Sequence, residues 1–183
     1  MSQMNTYKFL AKGARGRFSE FEWPRSPSGG PGPWVQAEGP LELCANGCHV
    51  CRPRELAHWL HDELWELETR GDELEGVDCL VVRCARLVRR IDAWHLGGAA
   101  QFGEACAQHA GELAARSTRD FAVVAEPLIE DAFVSVRAGF VAVGAHAAAL
   151  AVCKLSDPGE QYAAYRRERI WQSEWIVRVL IAT

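Results

Sequence analysis

Three cysteines and a histidine fall within eight residues, in the order Cys44-Ala-Asn-Gly-Cys48-His49-Val-Cys51. Thiolate and imidazole are zinc's usual ligands, and the Cys-x3-Cys-x2-Cys spacing is one that holds a four-iron cluster on three thiolates. A metal needs those groups on one side of the chain. If residues 48–51 form a strand, side chains alternate, so His49 and Cys51 share a face and Cys48 takes the other. Metal binding by Cys44, Cys48, Cys51 and His49 is therefore the minority reading, and the leading one has no metal. Acid–base chemistry fits better: His49 as proton acceptor, oriented by Glu66 or Glu68 on a nearby strand, with Cys51 as an adjacent nucleophile. The competing reading is a core histidine satisfied by a backbone carbonyl beside a structural thiol.

Other reactive groups read more simply. Glu126, Glu130 and Asp131 share one helical surface and suit a solvated face better than a catalytic carboxylate pair. Arg86, Arg89 and Arg90 could hold a phosphate, but surface ion pairs explain them as well. His109 and His146 sit in apolar stripes and are expected in the core. Four of the seven cysteines, at 79, 84, 106 and 153, have apolar neighbours and read as buried free thiols.

The elements that must position these groups come in two sets. A short strand is expected at 6–10, then a loop with Phe18, Phe21 and Trp23 as anchors. Residues 24–33 hold four prolines and three glycines, which predicts an irregular lid. After the cysteine turn, Pro53 opens an amphipathic helix over 55–63. Residues 64–69 alternate as a half-buried strand turned by Arg70-Gly71-Asp72, and 79–85 read as a central strand. After Arg86 the period becomes helical. Ser117-Thr-Arg-Asp120 has capping-box form, Pro127 is expected to kink or restart its helix, and Gly139 interrupts again. The last helix, over 160–181, is the most aromatic and is expected to pack into the core. The prediction is an α+β chain: a small mixed or antiparallel sheet over 1–86, then an α-helical domain over 87–183.

The N-terminal order of strand, aromatic loop, Gly47-Cys48-His49-Val50-Cys51, helix with Trp59, and strand 64–69 closed by Gly71 resembles the core of the ADP-ribosyltransferase superfamily. The likeness is greatest to the small rifamycin-modifying transferases, whose run also ends in an acidic turn like Asp72-Glu73. The resemblance covers about 80 residues. It implies that family's fold, NAD as cofactor, His49 at the aromatic position of the second motif and Trp59 at that of the following helix. The first motif, which in the family carries a His or Arg for the adenosine ribose, is Tyr7-Lys8-Phe9 here. The cysteine–histidine run also resembles an uncharacterised bacterial and phage group, and 168–175 resembles the closing helix of certain all-helical immunity proteins.

At 183 residues, with a formal net charge of −4, the chain has room for a real core and no global pull toward nucleic acid or anionic membranes. No apolar run approaches the roughly 20 residues of a membrane span, and Met1-Ser-Gln-Met has no export-signal character, so a cytoplasmic location is expected. The expected function is a small enzyme acting on a nucleotide-like or aromatic small molecule. Its cleft lies around His49, with Tyr7 and Lys8 beside it, Trp23, Trp34 and Trp59 as stacking walls, and chemistry from His49, Glu66, Glu68 and Cys51. The alternative is a non-catalytic interaction or immunity-type protein using its helical half.

Overall fold

The structure is a computed structural model that describes residues 5–182, apart from the side chain of Arg119; the export-signal expectation rests on residues outside that range. The chain divides into two compact units, Met1–His95 and Leu96–Thr183. The first holds an antiparallel sheet and the second a set of helices, which is the α+β architecture expected.

The sheet is built from β1 (Thr6–Leu10), β2 (Val35–Gln36), β3 (Cys48–Val50), β4 (Glu63–Glu75) and β5 (Leu80–Arg90). β4 pairs with β1 on one side and β5 on the other, and β5 also pairs with β2 and β3. The sheet then closes on itself. Tyr7 and Cys51 exchange both backbone hydrogen bonds, at 2.9 and 2.7 Å, so the far edge meets β1 and no long edge is left open there. The barrel interior is apolar, with Leu10, Trp23, Cys48, Val50, Leu67, Val82 and Leu87 among its members. Alternation along β3 puts Cys48 and Val50 inward and His49 on the other face, as the strand reading requires.

Three expectations for this unit need correction. The segment after Pro53 is a short 3-10 turn, Pro53–His58, rather than a helix over 55–63. Buried Glu55 closes it by accepting from the Arg52 backbone N–H at 2.8 Å and from Arg52 Nε at 2.6 Å. Arg70-Gly71-Asp72 is not the hairpin turn: β4 runs through it with a register shift between Arg70 and Glu73, and Gly71 takes φ +85° within that irregularity. The reversal comes later, where the Gly76 N–H bonds the Cys79 carbonyl at 2.9 Å. The helical period expected after Arg86 is strand as far as Arg90, which moves the boundary between the units beyond residue 86. Two cross-strand ion pairs support that strand, Arg86 Nε to Glu68 at 2.7 Å and Arg89 Nε to Glu66 at 2.6 Å.

The second unit comprises α1 (Ala99–Arg116), α2 (Arg119–Arg137), α3 (Val141–Lys154) and α4 (Gln161–Ile176), the last prolonged by a π-type turn over Val177–Ile181. Small residues let the helices approach closely. A Cβ on Gly103 of α1 would lie 2.7 Å from Val136 Cγ2, and one on Gly144 of α3 would lie 2.5 Å from the same atom. Both glycines thus accept a single valine of α2. α2 continues through Pro127 without restarting; the proline is exposed and simply removes one donor from the ladder. No helix among the described residues is long and apolar enough to cross a membrane.

α4 packs inward as expected, with Trp175 against the buried Phe102 ring at 5.7 Å. Its most buried side chains are nevertheless not its aromatic ones: Tyr162 is 70 % exposed, whereas Glu168, Arg169, Gln172 and Ser173 are all at most 5 % exposed. A polar stripe occupies the inward side of this helix.

Candidate functional site

The residues expected to form a cleft around His49 are held in other ways. The His49 imidazole folds into its own turn: Nδ1 lies 3.2 Å from the Gly47 carbonyl, and Nε2 accepts the Cys44 backbone N–H at 2.9 Å. That network assigns the neutral Nδ1–H form, with each nitrogen serving backbone. Burial pulls the His49 pKa below its ordinary 6.5, against the raising effect of the Gly47 carbonyl. Cys44 takes a left-handed backbone, φ +61°, to present its N–H. His49 is thus the clamp of the cysteine turn.

Glu66 and Glu68 do not orient it, since each is paired across the hairpin with Arg89 and Arg86. The closed sheet does bring Cys51, just past the end of β3, level with Tyr7 of β1 and Glu66 of β4. Cys51 is buried there and its thiol is pushed up to about 12 by burial, the reverse of an activated nucleophile. Tyr7 is 2 % exposed and its phenol is raised, chiefly by burial. The Lys8 amine donates to the His49 carbonyl and stands 5.3 Å over the Trp23 ring. Burial lowers its pKa, and the nearby Cys48, Cys51 and Cys79 thiols act in the opposite sense. Lys8 supplies a donor to a strand carbonyl at the β1–β3 seam.

The expected stacking walls are likewise engaged. Trp23 is a barrel residue at 4 % exposure, although an open groove of about 620 Å³ runs past it along Glu22, Pro24, Arg25 and Pro27. Trp34 has two guanidinium groups over its ring, Arg70 at 4.1 Å and Arg86 at 4.7 Å from the centroid. Trp59 donates its indole N–H to the Asp78 carbonyl at 2.6 Å. All seven cysteines are free thiols, and among the described residues no three His, Cys, Asp or Glu side chains converge as a metal site requires. The minority metal reading therefore has no geometric support.

A better-assembled group lies wholly within the helical unit. His109 of α1 and Trp171 of α4 stack face to face, with ring centroids 3.8 Å apart and planes inclined by 11°. His109 Nδ1 approaches the Glu168 carboxylate at 3.1 Å to Oε2 and 3.3 Å to Oε1. The Glu168 side chain is 2 % exposed and the imidazole 25 %. Behind the carboxylate, Gln172 Nε2 reaches Glu168 Oε1 at 3.5 Å and the Ala145 carbonyl at 2.9 Å, while Gln172 Oε1 accepts from Arg169 Nη1 at 2.7 Å. Ser173 Oγ donates to the Arg169 carbonyl. The Cys106 thiol nearby is raised by burial and by Glu168, so it is an inert neighbour.

His109, Glu168 and Trp171 line a cleft of about 470 Å³. Arg116 and Arg167 supply cationic groups to it, Ser117 and Ser156 hydroxyls, and Leu113, Val152 and Leu155 an apolar wall. A carboxylate on Nδ1 fixes the imidazole's tautomer and ring angle, leaving Nε2 as the nitrogen for proton exchange. The sequence expectation placed His109 in the core. The signal that could have found this site is the Glu168, Gln172 and Ser173 spacing, which lays polar groups along one side of a helix whose aromatics drew the attention.

No protein-family model, no curated protein and no solved structure matches the chain.

Proposed function

We propose that the helical unit binds a small organic anion with an apolar or aromatic body, and that His109 serves as its proton acceptor. The observation that carries this reading is the His109–Glu168 pair. A carboxylate almost wholly withdrawn from water spends a hydrogen-bond acceptor on holding one imidazole, an arrangement that suits a positioned base. The cleft's volume is within the ordinary range for small-molecule sites. Its mixture of two guanidinium groups with leucine and valine side chains suits a phosphate or carboxylate attached to a hydrophobic group. Trp171 backs one face of the imidazole, and Glu168 takes Nδ1, so Nε2 is the nitrogen offered to a ligand.

The test is calorimetric titration of the full chain with aryl phosphates and aryl carboxylates, read together with NMR shifts at His109 and Trp171. Saturable binding that perturbs both residues and is weakened about tenfold by Arg167→Ala supports the reading. Heat without shifts at either residue, or affinity indifferent to Arg116 and Arg167 together, rejects it. His109→Asn keeps a donor at the Nδ1 position and removes the base, so it should retain binding while losing proton transfer.

A further inference from the structure

β3 and β5 run antiparallel, with Cys48, His49 and Val50 opposite Val82, Val81 and Leu80. One step further along that register, Cys51 faces Cys79. The hydrogen bonds around the two cysteines fix what kind of pair this is. Cys51 turns its backbone N–H and its carbonyl toward Tyr7 of β1, at 2.7 and 2.9 Å. Cys79 turns its carbonyl toward the Gly76 N–H across the β4–β5 hairpin, at 2.9 Å. Each directs these polar groups away from the other, which is the non-hydrogen-bonded phase of an antiparallel ladder. In that phase facing Cα atoms come to about 4.5 Å and side chains approach most closely. A disulfide requires Cα atoms about 4.4–6.8 Å apart. Facing residues also point to the same side of the sheet, here the side His49 takes, away from the barrel interior. Both thiols are free and buried.

We infer that Cys51 and Cys79 are a redox-active dithiol that takes a peroxide as oxidant and closes to a cross-strand disulfide. Cys79 is the entry point, being the more accessible of the two at 8 % exposure against 4 %. With hydrogen peroxide, its sulfur attacks one oxygen, the O–O bond breaks, and Cys79 becomes a sulfenic acid with release of water. The Cys51 sulfur then attacks the Cys79 sulfur and the S–O bond breaks. The departing hydroxide takes the Cys51 proton and leaves as a second water. Two thiols lose two electrons and one peroxide is reduced to two waters.

Burial raises both thiols, Cys51 to about 12. The pair therefore reacts slowly, and its disulfide, built on poor leaving groups, resists reduction. That is the chemistry of a staple rather than of a turnover site. It ties the point where the barrel closes, the Tyr7–Cys51 bridge, to the root of the β4–β5 hairpin. No residue of the His109 cleft takes part, so the test is independent of that reading.

The full chain is treated with hydrogen peroxide under native conditions, its remaining thiols are blocked, and a tryptic digest is read by mass. Cys44, Cys48 and Cys51 share one tryptic peptide and Cys79 lies on another, so fragmentation of the linked peptides assigns the partner. The expected product is Cys51–Cys79 within one chain. Closing that loop should raise Tm by about 10 °C, and dithiothreitol should reverse the rise. Exposed Cys44 is the competitor, since its charge reaches Cys79; Cys44→Ser should leave the yield of the disulfide unchanged. Cys51→Ala should remove the disulfide and the rise in Tm together, and if that variant does not fold, the mapping on the parent chain decides. A disulfide from Cys79 to Cys44, a link between chains, or oxidation of Cys44 while Cys51 and Cys79 stay free overturns the inference. So does loss of the disulfide in Cys44→Ser, or a Cys51–Cys79 disulfide that lowers Tm.

Discussion

His109 and Glu168 meet 3.1 Å apart across two helices, one ring partly open to solvent and one carboxylate closed off from it. The pair is asymmetric by construction. Glu168 is held from behind by Gln172, and its accessible function is to fix His109. Removing its charge while keeping its shape should therefore do more than remove one contact.

Glu168→Gln is expected to lower stability by about 1.5–3 kcal/mol, the usual worth of a hydrogen bond to a charged group. It should also release the imidazole from its single tautomer. Denaturant unfolding gives the first quantity, and nitrogen NMR of the His109 ring gives the second. A wild-type ring already mixed between tautomers would contradict the assigned geometry.

His49 should make the N-terminal unit sensitive to acid. Its folded pKa is below the ordinary 6.5, because burial disfavours the charged ring. The unfolded chain therefore binds the proton more readily. The stabilisation is complete above pH 6.5 and is lost as pH falls through the folded value. The physical event is protonation of Nε2, which breaks its bond from the Cys44 N–H. Burial depresses His146 in the same direction, so the measurement compares His49→Gln with His146→Gln against the parent. Only the His49 variant should flatten the acid limb of local protection at Cys44 in hydrogen exchange.

The thiols should divide sharply toward an aromatic disulfide reagent. Cys44 is exposed and should react in the native state. Cys51, buried and pushed up to about 12, should react only on unfolding. Mass mapping after brief labelling checks this, and native labelling of Cys51 would contradict its enclosure at the β1–β3 seam.

Two helix glycines should respond in opposite directions to alanine. A Cβ on Gly144 would meet Val136 Cγ2 at 2.5 Å and the Ala132 carbonyl oxygen at 2.9 Å. Gly144→Ala should cost about 1–3 kcal/mol through overpacking. A Cβ on Gly111 finds only Ile129 at 4.0 Å, so Gly111→Ala should gain up to about 1 kcal/mol from helix propensity. Thermal unfolding of both variants decides whether helix packing or propensity governs each position.

Much of the architecture was legible without coordinates. Local pattern was enough for β1, for a strand at Cys48, for the alternation that separates His49 from Cys48, and for a helical second half broken at Gly139. These are short-range properties: strand and helix periods, glycine at a positive φ, proline at the opening of a turn. The sequence also carried the acidic surface of Glu126, Glu130 and Asp131, because the spacing of charges on one helix needs no partner to be read.

What only the tertiary structure decided were the choices between two equally good local readings. Leu87, Ile91 and Trp94 suit a helical stripe, yet Leu87 belongs to a strand because β4 offers Glu66 and Glu68 to Arg89 and Arg86. Arg70-Gly71-Asp72 has turn chemistry, yet pairing on both sides of it outweighs that preference and leaves a bulge. Trp171 on α4 and His109 on α1 are far apart in sequence, and nothing local says that they stack or that Glu168 is buried between elements. The sequence determined which residues could do chemistry. Long-range packing determined which of them met, tying the conspicuous His49 into a backbone turn and giving the inconspicuous His109 a carboxylate and a cleft.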